Sequence, residues 1–188
     1  MKTTISIMVI LVAAITALIY GGFIDISSFS KLPPETPSVA VDFSTCVAAG
    51  NPVMESYPRQ CRDAAGNLFV EFIGNEIEKI DSIRLSTPRP NEVISSPLRI
   101  SGEARGTWFF EASFPIILTD WDGVIIAEWY AQAGEDWMTE DFVPFAGTLE
   151  FTVPEDTPYK RGTLILRKDN PSGLPEHDDA LEIPVRFE

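Results

Sequence analysis

WFFEASFPIILTDWDGVIIAEW, residues Trp108 to Trp129, reads as two β-strands closed by a polar, glycine-bearing turn, a hairpin suited to the centre of a sandwich. In the first arm Phe110, Ala112, Phe114, Ile116 and Leu118 share one face, while Glu111, Ser113 and Thr119 take the other. That period of two marks a half-buried strand. Beyond Asp120-Trp121-Asp122-Gly123, the second arm sets Ile125, Ala127, Trp129 and Ala131 against Glu128, Tyr130 and Gln132.

The alternation continues on either side of this hairpin. Upstream, Ile83 and Leu85 precede Thr87-Pro88-Arg89-Pro90, and Leu98, Ile100 and Gly102 alternate with Arg99, Ser101 and Glu103. Downstream, Leu149, Phe151 and Val153 alternate with Glu150 and Thr152. Leu164 and Leu166 follow Gly162, and Leu181, Ile183, Val185 and Phe187 close the chain. Seven strands with turn signals between them, spread over residues 82–188, have the count and spacing of an all-β Greek-key sandwich. Pro115 and Pro184 cannot donate to a ladder, so each is expected at an edge, at a bulge or with its nitrogen turned away from a partner strand.

The ordered series P-x-P-N-E-V-I-S-S-P-L-x-I-S-G-E-A-R-G-x-W-F-F-E-A-S-F (Pro88 to Phe114), D-x-D-G (Asp120 to Gly123), G-T-L-E-F (Gly147 to Phe151) and terminal I-P-V-x-F resembles the immunoglobulin-like domain of bacterial spore-germination and related envelope proteins. The resemblance covers Ser82 to Glu188. It implies a seven-stranded, non-catalytic immunoglobulin-like sandwich in a bacterial cell-envelope protein.

The N-terminal part has a different character. Lys2 precedes an apolar run from Ile5 to Ile24 that contains no charge, long enough to span a bilayer as a helix of roughly 20 residues. Residues 1–24 therefore read as a membrane anchor or a signal peptide. Small residues do not fall in an A-x-A pattern at its end, which favours a retained single-pass anchor in the cytoplasmic membrane over cleavage and secretion. Residues 25–41, with Pro33, Pro34 and Pro37, read as an extended stalk. Residues 42–74 form a compact cassette around Cys46 and Cys61, with turns at Gly50-Asn51-Pro52 and Tyr57-Pro58 and a hairpin loop at Asp63 to Asn67. Its string GNPVMESYPRQC resembles a short cysteine-bracketed segment of small secreted or anchored prokaryotic proteins. Outside the cytoplasm, and with no third cysteine to compete, Cys46 and Cys61 are expected to form a disulfide. Asn75 to Asp81 reads as one helical turn or a linker separating the cassette from the sandwich.

Charge narrows the partners. The formal net charge is −14, and setting aside the first 24 residues leaves 13 basic against 28 acidic side chains. Such a surface repels phosphate backbones and anionic headgroups, which argues against nucleic-acid binding and against charge-driven membrane docking. The sequence offers no catalytic site. His177 is the only histidine, and no serine or cysteine has a base at a recognisable spacing. Two cysteines and one distant histidine do not supply the four ligands of a structural zinc site, and Asp120-x-Asp122-Gly123 lacks the remaining oxygens of a calcium loop. No metal and no cofactor is expected. The apolar area that calls for explanation is Trp121, Trp129, Tyr130, Trp137 and Phe142, which read as a binding platform or as core caps, with Trp121, Tyr130, Trp137 and Phe142 as the candidate binding residues. The loops 137–145 and 170–180 are the expected binding regions. The functional expectation is a non-catalytic binding or scaffolding module in the cell envelope, joined to the membrane through its N-terminal helix, with a protein or cell-wall component as partner. The alternative is a hydrolase inhibitor presenting the bridged loop 54–59.

Overall fold

The computed structural model describes residues 39–188, so the anchor and most of the stalk lie outside the described residues. Among the described residues no helix is long and apolar enough to cross a membrane.

The cassette begins with helix α1 (Phe43–Ala48), started by a capping box in which Asp42 accepts from Thr45 N–H and the Thr45 hydroxyl accepts from the Asp42 N–H. Three short antiparallel strands follow in order, β1 (Val53–Met54), β2 (Gln60–Arg62) and β3 (Leu68–Val70). Cys46 on α1 and Cys61 on β2 form the expected disulfide, with Cα atoms 6.1 Å apart. Both cysteines are buried, and among the described residues the hydrophobic side chains packed with them are Ala40, Phe43 and Phe69. So small an apolar core leaves the bridge as the main constraint on this segment.

After helix α2 (Glu76–Lys79) come β4 (Ile83–Thr87), β5 (Val93–Ile94), β6 (Leu98–Arg105), β7 (Ser113–Asp120), β8 (Ile125–Ala133), β9 (Phe142–Leu149), β10 (Arg161–Arg167) and β11 (Ala180–Phe187). These eight strands run β4-β6-β9-β8-β7-β10-β11-β5 in one curled, sandwich-like sheet. The curl turns at β8 and β9, which share only two residue pairs, Gln132 with Ala146 and Ala133 with Phe145. The two wings β4-β6-β9 and β7-β10-β11 thereby close over a common core of Phe114, Ile116, Leu118, Phe145, Leu164 and Ile183. Gly147 sits at this corner because a Cβ there would come within 2.8 Å of Ile116 Cδ1 and 3.1 Å of the Tyr130 carbonyl oxygen.

The strand count is eight, not seven, and three boundaries differ from the sequence reading. β5 is a two-residue strand parallel to the end of β11, too short to show a period. The first arm of the hairpin starts at Ser113 rather than Phe110. Glu111 and Ala112 are left-handed (φ 49° and 62°), and Phe110 and Ser113 exchange backbone hydrogen bonds across them as a tight two-residue turn. Neither residue carries a turn signature. The alternation at Leu149, Phe151 and Val153 is not a strand beyond Leu149, because the Phe151 N–H goes to Ser96 Oγ at 3.0 Å instead of to a ladder. The strand lies upstream, at Phe142–Leu149, where Pro144 hid it. The only ladder-side use of Pro144 towards β8 is its carbonyl, which accepts from Gly134 N–H at 2.7 Å.

The segment 75–81 is not a spacer. Asn75 and Glu182 exchange backbone and side-chain bonds, with Asn75 N–H donating to the Glu182 carbonyl at 3.1 Å and Glu182 N–H donating to Asn75 Oδ1 at 2.8 Å. Lys79 pairs with Asp179 at 2.6 Å. Gly74, at φ 73°, lies so close to β11 that a Cβ would stand 1.8 Å from the Glu182 carbonyl oxygen. Cassette and sandwich are joined along β11.

Candidate functional site

The most exposed apolar backbone of the sandwich belongs to β8. Its entry turn is held by Asp120, whose Oδ1 accepts from the N–H groups of Asp122 and Val124, both at 2.9 Å, with Gly123 at φ 81°. The D-x-D-G string is thus a self-satisfied hairpin turn. β8 pairs with β7 from Ile125 to Gln132, with Ile126 bulged out between Ala127 and Ile125. On its other side it meets β9 only at Gln132 and Ala133.

The direction of the backbone groups follows from Pro115. It stands opposite Tyr130, and since it cannot donate, that pair is a non-hydrogen-bonded one. Ala127, Trp129 and Ala131 therefore bond to β7, while Glu128 and Tyr130 turn their N–H and C=O groups outward, on the side where Gln132 bonds to β9. Among the described residues no strand is paired with the outer side of β8 from Ile125 to Tyr130, although Gly147 of β9 stands against the Tyr130 carbonyl. Around this edge Ile125 is 53% exposed, Trp129 60% and Tyr130 50%.

The predicted aromatic residues do not form one platform. Trp121, on the turn, packs edge-on to Tyr159 with centroids 5.0 Å apart. Tyr130 lies on β8 beside Trp129. Trp137 is half-buried against the core and lines a shallow depression with Thr107, Phe109 and Met138. Phe142 opens β9 and is sandwiched between the guanidinium groups of Arg84 and Arg105, at 3.9 and 4.2 Å from its ring centre. That stacking is a structural use of the ring. The expected binding loops are correspondingly shorter, since Phe142 to Phe145 belong to β9 and Ala180 to β11. Trp129, read from its period as facing inward with Ala131, is exposed because β8 has no neighbour there to complete the cover. No sequence period announces that loss.

Charge along this stretch of the chain is one-sided. From Gly106 to Tyr159, which spans β7, β8 and β9, the sequence holds eleven acidic side chains and no lysine, arginine or histidine. Among the described residues no group of histidine, cysteine and acidic side chains is arranged to hold a metal ion.

The bridged loop 54–59 is mostly exposed, but Tyr57 and Arg59 are tied to neighbouring side chains. Arg59 donates from Nε and Nη2 to Glu71 at 2.7 and 2.6 Å, and Asn91 Nδ2 donates to the same carboxylate at 3.2 Å. Tyr57 hydrogen-bonds Glu76, Arg89 donates to the Tyr57 hydroxyl at 2.8 Å, and Arg89 pairs with Glu76 at 2.8 Å. The hydrogen bonds from Arg59 hold the Glu71 carboxyl below its ordinary range, whereas burial pushes that of Glu76 up against the pull of Arg89. The cluster fastens the cassette to the loop after β4.

A family model for the immunoglobulin-like domain of bacterial spore germination matches residues 82–173, from just before β4 to beyond β10. The free β8 edge lies inside the germination-type domain, while β11 and the cassette lie outside the matched residues. No curated protein and no solved structure matches the chain.

Proposed function

We propose that this protein is a non-catalytic binding or scaffolding module of the cell envelope, held by residues 1–24 at the cytoplasmic membrane with its germination-type domain on the outer side. The observation that carries the binding role is the uncovered β8 edge, where Trp129 and Tyr130 leave apolar area in water beside unpaired backbone. The buried Cys46–Cys61 bridge supports an oxidising compartment. The inhibitor alternative finds less support, because Tyr57 and Arg59, the large side chains of loop 54–59, are engaged by Glu76 and Glu71.

Detergent-solubilised full-length protein, immobilised and exposed to envelope extract, is expected to retain a specific component that a core-disrupted Phe114→Ala variant does not. The native protein should remain with membranes after alkaline carbonate extraction. Retention of nothing over the variant overturns the binding role, and release by carbonate overturns the anchored location.

A further inference from the structure

We infer that the outer edge of β8 is a strand-addition site for an extended peptide segment of basic and apolar character, supplied by another protein. This rests on the binding role proposed above and names the partner's chemistry. Three observations meet there. The outward N–H and C=O groups of Glu128 and the N–H of Tyr130 are paired with no strand, while the Tyr130 carbonyl is approached by Gly147 of β9, so an incoming strand finds its backbone partners along Ile125 to Tyr130. Ile125, Trp129 and Tyr130 supply exposed apolar area on the two faces of the strand, which the alternate side chains of an added strand cover. The surrounding segment 106–159 is acidic without a single basic side chain, so the complement is a strand bearing lysine or arginine.

The same charge argues against a second copy as occupant. Two β8 edges laid side by side at about 4.8 Å bring acid against acid with nothing basic in either segment to relieve it.

The test titrates full-length protein in neutral detergent with a labelled, end-capped peptide of about eight residues alternating lysine and valine. A glutamate–valine counterpart and a lysine–valine peptide with alternate backbone nitrogens methylated serve as comparisons. We expect binding of the first peptide only, weakened at least about tenfold between roughly 0.05 and 0.5 M salt. Amide exchange at Glu128 and Tyr130 should slow by about tenfold or more on binding. Glu128→Pro removes one outward donor without touching the β7 ladder and should abolish binding. If that variant does not fold, Glu128→Lys should weaken binding severalfold, and the methylated peptide isolates the backbone contribution. Equal binding of the glutamate or methylated peptide overturns the inference, as does protection of amides elsewhere. Protein that alone forms a concentration-dependent dimer protecting Glu128 and Tyr130 overturns it in favour of self-pairing. Envelope capture that persists undiminished in Glu128→Pro overturns the edge as the site and leaves the binding role standing.

Discussion

Replacing Phe114 by alanine tests whether the hairpin faces the way its period says. Phe114 is fully buried on β7, with Phe109 and Phe145 packed edge-on at centroid distances of 5.3 and 4.9 Å. Phenylalanine-to-alanine changes in a core cost about 3 to 5 kcal/mol, from lost transfer energy and the cavity left behind. Two aromatic pairs, each worth about 0.5 to 1.5 kcal/mol beyond area, place this site in the upper half of that range. At about 2 to 4 °C per kcal/mol for a chain of this size, the midpoint of thermal unfolding should drop by roughly 10 °C or more. Trp129 is the matched control. It lies opposite Ile116, two residue pairs along the same hairpin, and is larger, yet Trp129→Ala should cost below about 1 kcal/mol because the ring already stands in water. Urea unfolding followed by far-ultraviolet circular dichroism gives both numbers, with the slope checked for constancy. A Phe114→Ala loss below about 1 kcal/mol, or one no larger than that of Trp129→Ala, would refute the orientation assigned to β7 and β8.

Gly74→Ala should destabilise the junction by at least about 2 kcal/mol, since the new methyl meets the Glu182 carbonyl and the left-handed backbone is strained for alanine; limited proteolysis near residue 74 reads it. Reducing the Cys46–Cys61 bridge should raise amide exchange across α1 to β3 far more than in β7 and β10, and unreduced, unfolded protein should show no titratable thiol. The two buried glutamates should respond to pH with opposite signs. Glu71 has a lowered pKa, so its stabilising pairing is complete above the unfolded carboxylate range and is lost as pH falls through the lower, folded value. Glu76 has a raised pKa, so its protonation on acidification favours the fold from its folded value down to the unfolded one. Glu71→Gln should accordingly cost about 1 kcal/mol at neutral pH, discounted for the half-exposed Arg59, and flatten the acid limb of a stability–pH curve, whereas Glu76→Gln should cost nothing measurable there.

What the sequence made legible follows from how local the determining physics is. The run Phe114, Ile116, Leu118 shows its period because core and outer faces differ residue by residue, and Cys46 had only Cys61 to find. The turn at Glu111-Ala112 was invisible because nothing in a glutamate or an alanine asks for positive φ; tertiary packing imposes it. Pro144 and Gly147 are poor strand formers by themselves, yet both are tolerated in β9 for reasons set by its neighbours, a ladder side that β8 barely uses and a corner too tight for a side chain. The docking of Asn75 on Glu182 joins positions more than a hundred residues apart, and no local pattern carries such a contact. Trp129 stood out as an aromatic residue in need of explanation, but its period could not decide its exposure, which depends on where β9 stops following β8.

The other ends of the sheet show what this fold does with an edge that is not for use. On the outer side of β11, Ala180 C=O accepts from Asn75 Nδ2, Glu182 exchanges bonds with Asn75, Pro184 C=O accepts from Asn91 N–H at 2.7 Å and Arg186 N–H donates to Glu92 C=O at 2.9 Å. Every outward position of that strand is answered by the junction after the cassette or by the β4–β5 loop. Along β4 the Leu85 carbonyl is taken up by the Arg89 guanidinium. Uncovered edges invite unwanted pairing, and proteins ordinarily blunt them in these ways. β8 has instead a single outward-bonding charged residue, Glu128, between exposed aromatic and aliphatic side chains. An acidic surround discourages pairing between copies while leaving the backbone open to a basic strand. The junction and the β4–β5 loop therefore close the β11 edge, which is consistent with the proposed use of β8.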